Sequence, residues 1–428
     1  NTDKGYAASV QTKRATAIGK IIYNAKGQKL TLALGNGTTT TYSYDARTFR
    51  PTDLRSERAT APRGLQNLQY TYDPVGNITH INDAAQETVF HNNSVIRPEH
   101  HYVYDAIYRL IEGSGRENFG APAPPGNEEG PWPQGLIPTS NQPRNYTQYY
   151  TYDAVGNFVA MQHVPAGAAG WTRRYKTHLD SNRLHRTWYG APDWDSAAPT
   201  QRTEYRYDLH GNMLNLNPSS AGSGRDIRWD WRDMIRGVDC IGGGQARYHY
   251  GIDKQRTRKH ITRIGKVAED RIYLGGYERY RRRNAQGVEV EEIESLHLFE
   301  GEQRVLLVDD VITAKPNDQP GPNGLRVKEQ TLFRYQYTNH LGSASLELDE
   351  AAQIISYEEY HPYGTSAYRL MRSGIEAPAK RYRYTGMERD EESGLSYHAA
   401  RYYAPWMGRW TSCDPGGLVD GLDLYVFA

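Results

Sequence analysis

Cysteine is almost missing from this chain: Cys240 and Cys413 are the two among 428 residues. Two thiols are too few for a disulfide framework, so packing must hold the fold, and they say nothing either way about export. Phenylalanine is scarce as well, 7 residues against 34 tyrosines, and hydrophobic residues reach 38%, short of the roughly half that is usual in globular domains. A deep, dry core is therefore not expected. Excess charge is also missing, since 51 basic and 50 acidic residues leave a net charge of +1, and no global field recruits nucleic acid or an anionic membrane. The cluster Arg279-Tyr280-Arg281-Arg282-Arg283 reads as solvated strand or turn positions rather than a polyanion site. No apolar run approaches the ~18 residues of a membrane-crossing helix, and the first residues lack the basic and apolar regions of a signal peptide. The chain starts at Asn1 rather than Met, so it reads as a piece of something longer.

What is present is tyrosine in a pattern. Tyr72-Asp73-Pro74-Val75-Gly76-Asn77, Tyr152-Asp153-Ala154-Val155-Gly156-Asn157 and Tyr207-Asp208-Leu209-His210-Gly211-Asn212 are copies of one unit, and looser copies begin at Tyr44, Tyr104, Trp229 and Tyr250. Successive starts lie 21 to 55 residues apart, which fits a base period of about 20 to 30 residues with insertions and marks a repeat architecture. One unit shows its own construction. Leu30, Leu32 and Leu34 alternate, Gly35-Asn36-Gly37 can turn with positive φ, and Thr40, Tyr42 and Tyr44 alternate again, which is a β-hairpin. The Asp of each unit accepts hydrogen bonds from backbone just ahead of it, and Gly-Asn closes a tight turn at left-handed dihedrals. An acid reused at every turn is thus a turn residue, not a catalyst. Tyrosine, with an apolar ring and a polar tip, suits a thin sheet wet on both faces, and its abundance argues against disorder.

Two stretches, residues 120–145 and 312–326, are rich in Pro and Gly and read as insertions, because Pro cannot donate to a strand ladder. Helical signal is thin, and the apolar run Ala106-Ile107-Tyr108-Arg109-Leu110-Ile111-Glu112 is described equally well by strand alternation. The fold class is all-β. No nucleophile elbow, P-loop or dinucleotide fingerprint sits in a strand-to-helix setting, and Gly242-Gly243-Gly244-Gln245 is a turn. His91, His100 and His101 are close in sequence but lack the spacing of a helical or Cys-His zinc site. No metal and no cofactor are expected. Cys413 sits beside Asp414 with no recognisable His partner, which argues against a thiol protease.

The Tyr-Asp units resemble those of the RHS or YD-repeat family of bacterial polymorphic toxins, insecticidal toxin-complex B and C subunits and animal teneurins. The closing third carries an ordered series that resembles the RHS-associated core: Asn339-His340-Leu341-Gly342-Ser343, Tyr360-His361-Pro362-Tyr363-Gly364, Arg383-Tyr384-Thr385-Gly386-Met387-Glu388-Arg389-Asp390, Gly394-Leu395-Ser396-Tyr397, Ala400-Arg401-Tyr402-Tyr403, Gly408-Arg409-Trp410 and Asp414-Pro415. The resemblance covers essentially the whole chain and is strongest to the toxin-complex branch. It implies a strip of β-hairpins spiralling into a hollow cocoon-like shell, with residues 1–330 as repeat wall and 331–428 as the closing core. It further implies a C-terminal toxin cargo inside, a B-type second shell half, a translocation or secretion machine as partner, and a bacterial origin from which the protein is secreted or injected.

The resemblance also implies self-cleavage just after the core by two aspartates and an assisting arginine. Carried over by motif, the arginine is Arg401 and one aspartate is Asp414, with the second acid and the scissile bond expected beyond Ala428. Any enzymatic activity of this chain is thus at most that of an incomplete aspartyl autoprotease. Two close carboxyls that share a proton divide the work naturally, one taking a proton from water and the other polarising the carbonyl, while a bidentate arginine holds one of them. The plain structural role of Asp414 is to cap the turn before Pro415. Asp420 and Asp423 fit a turn and strand and are not expected to replace the missing acid. The rival reading is a teneurin-like surface shell that binds glycans or receptors through outer Tyr and Arg residues.

Overall fold

A computed structural model describes residues 16–91, 93–118, 142–216, 225–314, 330–371, 380–419 and 421–427. The insertion readings at 120–145 and 312–326 fall mostly outside them. A 13-stranded sheet runs from Ile18–Tyr23 to Arg202–Glu204, and a second 13-stranded sheet from Asn215–Leu216 to Ser366–Met371. Both are antiparallel meanders in chain order. One exception interrupts the first: Ile78–Asp83 pairs with Glu99–Tyr104 across a small separate hairpin, Val89–His91 with Ser94–Ile96. Four short strands, Glu388–Arg389, Ser396–His398, Arg401–Ala404 and Arg409–Trp410, form a closing sheet. Among the described residues the helical segments are single 3-10 turns at Pro199–Gln201, Tyr384–Gly386 and Gly417–Val419. The run from Ala106 is no helix: Tyr108 turns at φ 67, and strand begins at Leu110.

The turns are built as their residue types require. Asp153 Oδ1 accepts from the N–H groups of Val155, Gly156 and Asn157, each at 2.9 Å, and Asn157 Nδ2 donates to Oδ2 at 3.0 Å. Gly156 sits at φ 108, where a side chain would be strained. Asp73 and Asp208 repeat the arrangement with Asn77 and Asn212. Turns that break the written motif keep its chemistry. Asn339 Oδ1 accepts from Leu341 and Ser343 N–H, and Asp349 Oδ1 from Ala351 and Gln353 N–H.

The tyrosine has an equally regular task. Tyr44 donates its hydroxyl proton to the Lys29 carbonyl at 2.8 Å, Tyr72 to Pro51 at 2.7 Å, Tyr104 to Ile78 at 2.9 Å, Tyr152 to Leu110 at 2.6 Å and Tyr250 to Ile235 at 2.7 Å. In each case the acceptor begins the strand that follows the previous unit's turn. Trp229 makes the corresponding bond through Nε1 to Met213, which bridges Tyr207 just past the third full turn, at 2.7 Å. The arginine that follows a turn extends the stitching: Arg109 lies 4.9 Å from the Tyr152 ring centroid and donates to the Asp153 carbonyl at 2.9 Å.

The expectation of two wet faces is corrected by the packing between the sheets. Leu32, Leu34 and Leu65 of the first sheet pack with Val305, Phe333, Tyr335, Leu346 and Tyr357 of the second. Tyr150, Met161 and Leu184 pack with Leu216, Ile227 and Val238, and with Leu395, Tyr402 and Trp406 of the closing segment. Between these apolar clusters the interior is ionic. Arg116, 2% exposed, pairs with Glu359 at 2.5 Å, and Arg334 pairs with Glu347 at 2.8 Å and Asp309 at 3.2 Å. A strip low in apolar residues thus buries paired charges, between the sheets at Arg116–Glu359 and within the second sheet at Arg334, which are stable when buried only because each has its partner.

Candidate functional site

The closing sheet is fixed from beneath by charge. Arg256, on strand Arg256–Thr262 of the second sheet, contacts Glu388 and Asp390 at 2.6 Å each, and Lys259 contacts Asp390 at 2.8 Å. The Glu388 and Asp390 of the core motif are therefore buried counter-ions, and Tyr402, 1% exposed, bonds the Tyr250 hydroxyl above them at 2.7 Å. On this base strand Arg401–Ala404 pairs with Ser396–His398 on one side and Arg409–Trp410 on the other.

The structure brings Arg401 and Asp414 together. Arg401 Nη1 lies 2.9 Å from Asp414 Oδ2, and its guanidinium stacks 4.2 Å above the Trp410 ring centroid. Asp414 Oδ1 accepts from Gly416 N–H at 2.7 Å. Turn cap and arginine partner are thus simultaneous roles, one oxygen to each. The two side chains are 18% and 22% exposed, within reach of water. The chain then returns: Asp414 N–H donates to the Leu424 carbonyl at 2.9 Å and Trp410 N–H to Tyr425 at 3.0 Å. Tyr425 donates to the Gly211 carbonyl at 2.8 Å, tying the segment to the third full repeat. Phe427 stacks on Tyr403 with centroids 3.9 Å apart and lies 5.2 Å from Trp410.

The neighbouring candidates take structural places. Asp423 accepts from Tyr425 N–H at 2.9 Å, and burial raises its carboxyl above the ordinary range. Asp420 lies outside the described residues. Cys413 Sγ donates to the Tyr425 hydroxyl at 3.1 Å, and Cys240 is buried, its thiol pushed up to about 12 by that burial. Neither is placed as a nucleophile. His398, missed by sequence reasoning, sits in the aromatic group beside the site, 5.0 Å from the Trp410 ring, and burial, helped by Arg401, lowers it to about 4. Its place at the end of strand Ser396–His398, directly before the Ala399-Ala400 turn into Arg401, is the signal that it shares this sheet. Of the histidines weighed for metal binding, His101 joins His80 and Glu99 rather than His91 or His100.

Two long meanders stitched by Tyr-Asp turns and locked by a closing sheet define a YD-repeat β-shell. No protein-family model matches the chain, but individual proteins do. It is 34% identical to the toxin subunit YenC2 of Yersinia entomophaga over 95% of its length, and 25% identical to RhsB of Dickeya dadantii over 66%. Those matches cover 41% and 20% of the two relatives, so the chain spans about two fifths of YenC2. The crystal structure of TcdB2–TccC3 superposes with a TM-score of 0.80 at 32% identity, over 96% of this chain and 19% of that one. The Tc holotoxin pore of Photorhabdus luminescens with an aspartate-to-alanine mutation in TccC3 superposes with a TM-score of 0.80 at 32% identity, over 96% and 18%. The chain belongs to the RHS/YD-repeat family, among the C-subunit-like members of the toxin complexes.

Proposed function

We propose that this chain is the shell portion of a toxin-complex C subunit that encloses and delivers an effector encoded beyond Ala428, and that its closing sheet supplies half of an aspartyl self-cleavage site. The observation that carries the reading is the Arg401–Asp414 pair at 2.9 Å, held at the end of the closing sheet. With Oδ2 on Arg401 and Oδ1 on the Gly416 N–H, the carboxylate is fixed in orientation, as a group that takes a proton from attacking water must be. The second acid, beyond Ala428, donates its proton to the peptide carbonyl as water adds, and the amine leaves with a proton when the tetrahedral species collapses. Residues 1–330 act as wall and 331–428 as closing core.

A B-type partner is supported by the sheet edges. Among the described residues each 13-stranded sheet ends on a strand paired on one side only, and such edges are templates for further pairing. Among the described residues no helix is long and apolar enough to cross a membrane, and the bacterial toxin relatives support release or injection from a bacterium. Protease protection tests the enclosure. With its natural sequence beyond Ala428 and a B-type partner bound, the downstream segment resists added protease and becomes sensitive when the complex is opened by denaturant. Equal digestion before and after opening contradicts enclosure and favours a surface shell that binds glycans or receptors.

A further inference from the structure

The first sheet carries a second cluster of chemistry, far from the closing segment in sequence. Strand Glu99–Tyr104 presents Glu99 and His101 on one face, because side chains two apart in a strand point the same way. The neighbouring strand Ile78–Asp83 pairs antiparallel with it, His80 directly opposite His101. The two imidazoles lie nearly parallel with centroids 4.4 Å apart. Glu99 offers one carboxylate oxygen to each: Oε2 lies 3.5 Å from His80 Nε2, and Oε1 lies 3.6 Å from His101 Nε2. These separations are long for hydrogen bonds, and His80 Nε2 is buried without a hydrogen-bond partner. The ligand atoms of the three residues all lie within 4.8 Å of one another, and rotation of the stacked imidazoles toward Glu99 would bring them to the roughly 3.3–3.6 Å spacing of ligands around a tetrahedral ion with bonds of about 2.0–2.2 Å.

We propose that His80, Glu99 and His101 bind a divalent transition-metal ion of the zinc type. Two imidazoles and a carboxylate make the ligand set, and water completes the shell. The site is reachable, with His101 54% and Glu99 27% exposed. Arg97 lies 3.9 Å from Glu99 Oε1 and is 61% exposed, long enough to yield its place to the ion. The location gives the ion a purpose. These two strands pair over the short register His80↔His101 to Asn82↔Glu99, and the chain leaves the sheet between them to form the separate hairpin at Val89–His91 and Ser94–Ile96. An ion held by both strands would clasp the meander where its continuity is broken, and its binding would be coupled to folding.

The test is zinc or cobalt titration of the full chain after chelator treatment, followed by calorimetry, cobalt absorption and thermal melting. Wild type should take up one ion per site with the intense visible bands of tetrahedral cobalt, and zinc should raise its melting temperature. His80→Gln and His101→Gln, on an exposed sheet face, should melt as wild type does without metal but lose affinity by more than about 100-fold, beyond the effect of losing an outer partner. His361→Gln serves as the control for the buried group Glu117, His163 and His361, and should leave the cobalt bands unchanged. The proposal is overturned if wild type binds no zinc at tens of micromolar. It is equally overturned if binding survives in the double variant His80→Gln/His101→Gln or is lost in His361→Gln alone.

Discussion

At the scale of the residue, the repeated aspartate and tyrosine divide the labour of a turn and a stitch. The aspartate was legible from sequence, because turn geometry needs an acceptor at that place and a glycine three residues on. The target of the tyrosine hydroxyl was not, because its acceptor belongs to another repeat. Asp153→Ala removes the acceptor for three backbone N–H groups and should cost about 1–3 kcal/mol. Tyr72→Phe removes one bond to the Pro51 carbonyl and should cost about 0.5–1.5 kcal/mol. Urea unfolding of both variants checks the order, and a loss for Tyr72→Phe larger than that for Asp153→Ala would contradict these roles. Asp414 differs from the repeated acids in where its arginine comes from: Arg401 lies on a neighbouring strand, whereas Asp105 and Asp230 hold Arg109 and Arg232 of their own turns.

The closing sheet is the element on which the site depends, and it rests on charge. Arg256, 1% exposed, neutralises Glu388 and Asp390, so Arg256→Met leaves two buried carboxylates short of their partner and should destabilise by about 3–5 kcal/mol. Arg206→Ala, which breaks an exposed pair with Asp226, should cost under about 1 kcal/mol. Denaturant midpoints of the two variants make the comparison, and similar losses would place the Arg256 network on the surface. This interior was not legible. A charged residue in a strand looks the same in sequence whether it faces water or a counter-ion on the opposite sheet, so low apolar content suggested two wet faces. The pairing of Arg401 with Asp414 was legible through the family resemblance of the closing motifs, whereas the aromatic surroundings of His398 were not, since they come from three separate segments.

Over the whole molecule the buried histidines and paired glutamates lose stability together on acidification, while Asp83, Glu392 and Asp423, raised by burial, work against them. Burial lowers His163, His297 and His398 below their ordinary 6.5, the last to about 4. The unfolded chain therefore binds protons first as pH falls through 6.5, and stability declines from there toward 4. Glu359, lowered to about 2 by Arg116 and His100 against the opposing effect of burial, adds stability that is full above 4.5 and lost as pH falls toward 2. Urea midpoints measured from pH 7.5 to 3 should fall monotonically, and His398→Gln should flatten the upper part of the curve. A midpoint that rises on acidification would contradict the burial assigned to these groups.

The shell account meets its most direct test in the mass of the natural-length protein, expressed with the sequence that follows Ala428. It predicts two fragments, cut downstream of the closing sheet, that elute together because the shell retains its cargo. Asp414→Asn and Arg401→Ala should give a single uncut chain with the wild-type melting temperature. A wild type that stays uncut, or variants that cut as fast as wild type, would contradict the account.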